Sequence, residues 1–172
     1  MEILNNKIKL FITDIDGVWT DGGMYYDQHG NELKKFNTYD SAGVLFLQLL
    51  KIPVAIITGE NSDIVRIRAE KLKIKFIYQG VTDKLELANK ICSEIGIRLC
   101  EVAFIGDDLN DIKLLESVGL SAAPANAPKY VKDVVNWNLK TNGGDGAFRA
   151  FVEKYLAENN LFNQVMQLYH NK

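Results

Sequence analysis

Continuous apolar runs and helical patterns alternate along most of this chain. The apolar runs are bounded by turn residues, and they predict five strands, at residues 8–13, 54–58, 76–78, 102–105 and 120–122. Because these runs do not alternate with polar residues, we expect both faces of each strand to be covered, as in a parallel sheet. Apolar positions at helical spacing predict helices at 41–50, 62–72, 83–95 and 110–118. The order predicts an α/β protein with a Rossmann-like parallel sheet and helices on both faces.

One segment, residues 22–36, interrupts this alternation directly after the first strand. It carries aromatic side chains on either side of a turn at His29-Gly30-Asn31, where Gly and Asn tolerate positive φ. The pattern predicts a β-hairpin that projects as a flap from the strand end carrying Asp14. The segment is too short to form a separate cap domain.

The C-terminal part predicts two further helical segments. A loop at 141–146 leads into a helix from 147 to about 157, and residues 161–169 have apolar side chains at helical spacing. This small apolar face is suited to docking on the domain or on a partner chain. The sequence has no internal repeat and no linker. We therefore expect one domain over residues 1–172, ending in a C-terminal helix and tail at 147–172.

The composition is that of an ordinary globular protein and excludes several classes of partner. Of 172 residues, 47% are hydrophobic and 24% are charged, with a formal net charge of -2. That charge gives no electrostatic reason to expect nucleic acid or an anionic membrane as a partner. Two cysteines, Cys92 and Cys100, do not make a disulfide framework or a zinc site. No signal peptide or membrane-length apolar stretch is visible, so the cytoplasm is the expected location.

Acidic residues gather after two of the predicted strands. The relevant positions are Asp14 and Asp16 after the first strand, Asp107, Asp108 and Asp111 after the fourth, and Thr58 and Lys84 between them. Ligands of open α/β sheets bind at the carboxyl ends of the strands, so we expect these side chains to converge. Crowded carboxylates repel one another unless a cation neutralises them, and oxygen ligands suit Mg²⁺.

These residue types together predict phosphoryl transfer. Asp14 would attack phosphorus, and Asp16 would protonate the leaving oxygen and later deprotonate the attacking water. Thr58 offers a hydroxyl to a phosphoryl oxygen, and Lys84 offers a positive charge. Asp107 would complete the Mg²⁺ site, with support from Asp108 and Asp111, and the metal and lysine would offset charge repulsion.

This arrangement resembles the haloacid dehalogenase superfamily of phosphohydrolases. The corresponding motifs are Asp14-Ile15-Asp16-Gly17-Val18-Trp19-Thr20, Thr58-Gly59, Lys84 and Gly106-Asp107-Asp108 with Asp111. Asp21-Gly22 and the segment 143–149 look like signatures of its capless branch, the 3-deoxy-D-manno-octulosonate 8-phosphate phosphatases and their nine-carbon relatives. The resemblance implies a metal shell of the Asp14 and Asp107 carboxylates and the Asp16 backbone carbonyl. It also implies a homotetramer in which the flap of one subunit closes the site of its neighbour.

Within that branch, the residue after Thr58-Gly59 distinguishes two substrates. The eight-carbon enzymes usually carry Arg there, whereas this chain has Glu60. Glu60, with Arg68 and Lys71, looks like the 2-keto-3-deoxynononate 9-phosphate phosphatases, and Thr38 is a further candidate contact from the neighbouring flap. The resemblance therefore favours the nine-carbon ester. The alternative is the eight-carbon ester of lipopolysaccharide biosynthesis.

Several of these residues also suit simpler structural roles. Asp111 fits the N-terminus of a helix, and Glu60 fits a solvated first turn. Arg68 and Lys71 are three apart, as on an exposed charged helix face. The pattern of Asp, Thr and Lys also suits a phosphoacceptor signalling domain, although the order of the residues differs. A non-catalytic assembly module would have no reason to keep the whole set.

Overall fold

A parallel sheet of six strands forms the centre of the protein. The computed structural model describes residues 8–171, so the expectation about a signal peptide, which concerns residues 1–7, lies outside the described residues. The strands are β1 (Leu10–Thr13), β2 (Tyr25–Tyr26), β3 (Glu32–Leu33), β4 (Val54–Ile57), β5 (Phe76–Tyr78), β6 (Val102–Ile105), β7 (Leu120–Ala123) and β8 (Trp137–Asn138). Six of them form the main sheet in the order β5-β4-β1-β6-β7-β8, and β2 and β3 pair separately.

Seven α-helices connect and cover these strands in the described part of the chain. They are α1 (Asp40–Leu49), α2 (Asp63–Lys71), α3 (Lys84–Ile95), α4 (Ile112–Ser117), α5 (Lys129–Lys132), α6 (Ala147–Glu158) and α7 (Phe162–His170), with 3₁₀ turns at Leu99–Glu101 and Leu109–Asp111. Side chains that accept backbone N–H bonds begin two of them, Ser62 at α2 and Asp83 at α3. No helix within residues 8–171 is long and apolar enough to cross a membrane.

The sheet has a buried core on each face. On one face, Phe11 of β1 packs against Phe151 and Tyr155 of α6 at ring-centroid distances of 5.4 and 5.2 Å. On the other face, Ile12 belongs to a cluster with Ile91 of α3 and Leu114 of α4. All four residues of β1 are buried. The predicted fold class, with helices on both faces of a parallel sheet, is confirmed.

The register of the central strands brings three loops to one edge. Thr13 pairs with Ile56 of β4 and with Ile105 of β6. The residues that follow these strands therefore leave the sheet at the same level. The Asp14 N–H continues the ladder by donating to the Ile105 carbonyl oxygen at 3.0 Å.

The predicted flap is a small antiparallel hairpin. Tyr25 pairs with Leu33 and Tyr26 with Glu32, while Asp27 accepts the backbone N–H groups of His29 and Asn31 in the turn. The outer side chains of Tyr26 and Leu33 are more than 60% exposed. This hairpin is the whole insertion after β1, so the described residues include no cap domain.

Two short elements, α5 and β8, were not predicted from the sequence. They have four and two residues, too few to show a hydrophobic period. The helix predicted at 110–118 is divided into the 3₁₀ turn Leu109–Asp111 and α4. The assignment of residues 1–172 to one domain stays a prediction.

Candidate active site

A polar cavity of about 340 Å³ opens at the carboxyl edge of the central strands. Seven predicted site residues line it: Asp14, Asp16, Thr58, Gly59, Glu60, Asp107 and Asp108. Thr58 is buried at the end of β4, and its N–H donates to the Tyr78 carbonyl oxygen. Because Thr58 is fixed by this sheet contact, Gly59 and Glu60 are held at the exposed rim. The loops that follow β1, β4 and β6 thus form one site.

Lys84 lies beneath the cavity with its ammonium group between two carboxylates. Its Nζ is 2.9 Å from Asp14 Oδ2 and 2.6 Å from Asp111 Oδ1, and its side chain is fully buried. Asp83 caps the same helix end, so the first turn of α3 sets the position of the lysine. Burial by itself lowers the pKa of Lys84, but Asp14 and Asp111 outweigh it, and the pKa is raised overall. Lys84 is therefore a fixed positive charge beside the proposed nucleophile.

The carboxylate of Asp14 is held from both sides at the end of β1. Its Oδ1 accepts the Ile15 N–H at 2.7 Å, and its Oδ2 accepts from Lys84. Burial raises the pKa of Asp14 to about 6, with Lys84 opposing this shift and Asp111 adding to it. Asp14 is thus mainly ionised at neutral pH, as a nucleophile requires.

Asp14, Asp107 and Asp111 offer oxygens that all lie within 4.8 Å of one another. Asp111 is largely used by the protein itself, since its Oδ1 accepts from Lys84 and its Oδ2 accepts the N–H groups of Asp107 and Asp108. Asp107 is close to Gly17, where an added Cβ would lie 1.8 Å from the Asp107 Oδ2. Gly17 has φ of +78°, so glycine is required there for both reasons. The loop after β1 therefore admits the Asp107 carboxylate next to Asp14.

The electrostatics of this cluster fit a divalent cation. Burial, together with Asp14, Asp111 and Asp108, raises the pKa of Asp107 to about 8. The site thus carries more negative charge than Lys84 offsets. Carboxylate oxygens of this number and spacing are the donors that Mg²⁺ prefers. The residues present fit the predicted metal.

A second lysine, Lys34 of the flap, pairs with Asp16 and was not predicted from the sequence. The Lys34 Nζ lies 2.7 Å from Asp16 Oδ1 and 3.2 Å from Glu32 Oε1. Burial alone would lower the pKa of Lys34, but Asp16 and Glu32 raise it. No pattern in the sequence connects residues 16 and 34, because their contact depends on how the hairpin folds over the loop after β1.

The glycine-rich segment supports the loop after β1 and does not line the cavity. A Cβ on Gly143 would lie 1.8 Å from the Gly17 carbonyl oxygen, and the Gly144 N–H donates to the Val18 carbonyl oxygen at 3.1 Å. Below the same loop, Trp19 Nε1 donates to Thr13 Oγ1, which donates to the Asp14 carbonyl oxygen. These contacts fix the backbone that carries Asp14.

Three residues predicted to bind substrate lie away from this cavity. Thr38 is exposed before α1, and Lys71 is exposed at the end of α2. Arg68 donates to the Asn37 carbonyl oxygen and to Ser41 Oγ, so it ties α2 to the segment after the flap. Their roles in substrate binding stay predictions.

Fold and site together define a Rossmann-like α/β protein with an acidic, metal-competent centre at its strand ends. A family model of haloacid dehalogenase-like hydrolases matches residues 48–151. A 3-deoxy-D-manno-octulosonate 8-phosphate phosphatase of Haemophilus influenzae is 39% identical over 150 residues, covering 87% of this chain and 83% of that protein. The chain belongs to the haloacid dehalogenase-like hydrolases. The predicted family and the prediction of an enzyme are confirmed.

Solved structures agree with this assignment. The phosphatase of the same name from Moraxella catarrhalis, crystallised with magnesium, phosphate and KDO, has a TM-score of 0.91 and 35% identity, covering 96% of this chain and 95% of that one. The cobalt-bound Haemophilus influenzae enzyme has a TM-score of 0.87 and 37% identity, covering 95% of this chain and 98% of that one. With the donor set described above, these relatives confirm the prediction of Mg²⁺ as cofactor.

Proposed function

We propose that this chain is a Mg²⁺-dependent phosphatase that hydrolyses 3-deoxy-D-manno-octulosonate 8-phosphate. The observation that carries the proposal is the Asp14 carboxylate, held against Lys84 at the base of a polar cavity. Relatives bearing that name match most of their own length and most of this chain. They support the eight-carbon ester more strongly than the nine-carbon ester that the resemblance favoured.

The residues suggest a two-step reaction. Asp14 attacks phosphorus and forms an aspartyl phosphate while the sugar hydroxyl leaves; water then cleaves that intermediate. Asp16 gives a proton to the leaving oxygen and later takes one from the water. Lys84 and Thr58 hold the phosphoryl oxygens. When bound by Asp14, Asp107 and the Asp16 carbonyl, Mg²⁺ would neutralise phosphate charge so that one anion can approach another.

The test is phosphate release by the purified chain with Mg²⁺. We expect many turnovers per enzyme on 3-deoxy-D-manno-octulosonate 8-phosphate, and a far lower rate for Asp14→Asn. A phosphoacceptor signalling domain would instead take up at most one phosphoryl group per chain and keep it. A single stoichiometric burst without turnover would therefore refute the phosphatase proposal.

The nine-carbon ester stays a second candidate because of Glu60. This side chain lines the cavity, where a carboxylate can accept hydrogen bonds from sugar hydroxyls. The decisive measurement is kcat/KM for both sugar-acid phosphates under the same conditions. A higher value for 2-keto-3-deoxynononate 9-phosphate would replace the eight-carbon assignment.

We also propose that the enzyme works as a homotetramer in which the flap closes a neighbouring site. The flap is small and carries exposed apolar side chains, among them Met24, Tyr25 and Leu33. A lone hairpin shields a substrate poorly from water, and a neighbour would cover these side chains. Light scattering on the purified protein tests this, and a monomer that is fully active would contradict it.

A further inference from the structure

The buried lysine of the flap has no role in the motifs that define the site. We propose that Lys34 is a positioning residue, which fixes the orientation of the Asp16 carboxylate and couples it to the flap. The inference rests on the proposed function, in which Asp16 handles the proton of the leaving group. Its basis is the contact of Lys34 with one oxygen of Asp16.

Lys34 differs sharply from the lysine beside it. The side chain of Lys34 is 1% exposed, whereas that of Lys35 is 63% exposed and lies 3.6 Å from Asp21. Burying an ammonium group is costly unless charged partners compensate it. Asp16 and Glu32 are those partners, at 2.7 and 3.2 Å. Lys34 is thus an inward anchor on a hairpin whose other large side chains mostly face outward.

The two oxygens of Asp16 have different surroundings. Oδ1 accepts from Lys34 Nζ at 2.7 Å and from Thr20 Oγ1 at 3.3 Å. Oδ2 is buried and has no hydrogen-bond partner within residues 8–171. Since Asp16 lines the cavity, Oδ2 is the oxygen left for the reacting groups. Lys34 and Thr20 therefore hold one oxygen of Asp16 and leave the other without a protein partner.

The chemical consequence concerns the first half of the reaction. As the bond between phosphorus and the ester oxygen breaks, the proton on Oδ2 passes to that oxygen, and the electron pair of the O–H bond remains on Asp16. The sugar leaves as an alcohol and Asp14 carries the phosphoryl group. A carboxylate rotated away from the ester oxygen cannot make this transfer. Lys34 acts on the reaction through this orientation and does not touch the phosphoryl group.

Two esters with different leaving groups separate this role from a general structural one. p-Nitrophenolate leaves as a stable anion and needs little protonation, whereas a sugar alkoxide needs a proton. The ratio kcat/KM reports the steps up to departure of the leaving group, so the later attack of water does not enter it. We would compare the wild type, Lys34→Met, Lys34→Arg and the flap control Lys35→Met on both esters with saturating Mg²⁺.

We expect Lys34→Met to lose at least about tenfold more in kcat/KM on the sugar phosphate than on p-nitrophenyl phosphate, within the range of acid catalysis. Lys34→Arg should restore most of that difference, and Lys35→Met should resemble the wild type. Hydrogen exchange of the 22–36 amides should be faster in Lys34→Met than in Lys35→Met, because the anchor is lost. Equal losses on the two esters, or no loss, would overturn the role of Lys34. A wild type inactive on both esters would instead refute the proposed function.

Discussion

The two lysines of the candidate active site come from regions of very different construction. Lys84 begins a 12-residue helix and bonds to Asp14 and Asp111, both buried against the sheet. Lys34 follows a two-residue strand of the flap, and its partners Asp16 and Glu32 are each about a quarter exposed. The half of the site around Lys84 is therefore held by the core. The half around Lys34 depends on a hairpin with few contacts of its own.

This difference matches the steps proposed for each half. The nucleophile and its cation must be in place before substrate arrives, and a rigid core provides that order in advance. The sugar that forms the leaving group must enter and depart, and a hairpin can permit this by moving. The variants below separate the two halves, beginning with the largest expected effect.

The largest effect is expected at the nucleophile. Asp14→Asn should lower kcat by about 10⁴-fold or more, because an amide cannot form the phosphoryl intermediate. Circular dichroism should stay close to the wild type, since the side chain keeps its shape. A variant with near-normal kcat would show that the core half does not contain the nucleophile.

The second effect concerns the free energy of unfolding and the half of the site around Lys84. Lys84→Met removes the charge between Asp14 and Asp111, and leaving buried carboxylates without their cation typically costs about 3–5 kcal/mol. Urea unfolding in EDTA should show this loss, while Lys90→Met, an exposed site on the same helix, should not. Added Mg²⁺ should recover part of the loss. Equal stability of the two variants in EDTA would contradict the role of Lys84 in the core.

A third effect concerns the start of α1, the helix that follows the flap, where buried Asp40 accepts the N–H of Arg149. Burial raises the pKa of Asp40 from 3.8 to about 6, although Arg149 and Arg68 oppose the shift. A raised pKa means that the folded state binds the proton more tightly than the unfolded state. Stability from this group is therefore full below pH 4 and falls by about 3 kcal/mol as the pH rises to about 6.

Asp40→Asn should abolish this part of the pH dependence, because the amide oxygen still accepts the Arg149 N–H. Urea unfolding from pH 4 to 7 with excess Mg²⁺ should give a stability difference that grows with pH and levels off above 6. Asp145→Asn serves as the control, because Asp145 is exposed just before α6, the helix that contains Arg149. A difference that does not change with pH would show that Asp40 is not a destabilised carboxylate.

The smallest effect is on metal affinity. The pKa of Asp107 near 8 means that Mg²⁺ displaces a proton at neutral pH. The apparent affinity should therefore rise about tenfold per pH unit up to about 8 and then level off. Calorimetry in buffers of different ionisation enthalpy should detect the released proton. Affinity that is the same at pH 6.5 and pH 8 would rule out this competition.

The sequence was most informative about the half of the site around Lys84, which the core holds in place. The continuous apolar runs ending at Asp14, Thr58 and Asp107 predicted both the strands and their convergence, because parallel strands share an edge. The flap was also predicted as a hairpin. Lys34 was not found, since alternation along a short strand shows which side chains share a face but not what that face contacts.

The same limit applies to the residues that the resemblance assigned to substrate. Arg68 carries the expected charge, but its partners Asn37 and Ser41 lie on a separate segment brought close only by tertiary packing. Glu60 lines the cavity, as expected for a residue only two positions after Thr58 at the end of β4. Proximity to a strand end was predictable, whereas contacts between distant loops were not.

The glycine wedge, Gly143 and Gly144 against the loop after β1, has a consequence for biosynthesis. Asn37 Nδ2 donates to the Gly144 carbonyl oxygen across 107 residues, and Gly143 rests on Gly17. A ribosome-bound chain that has emerged only as far as the second acidic motif already contains every proposed reacting group. It still lacks the segment that braces the loop carrying Asp16. Such a nascent chain should therefore stay catalytically silent until the last part of the polypeptide has left the exit tunnel.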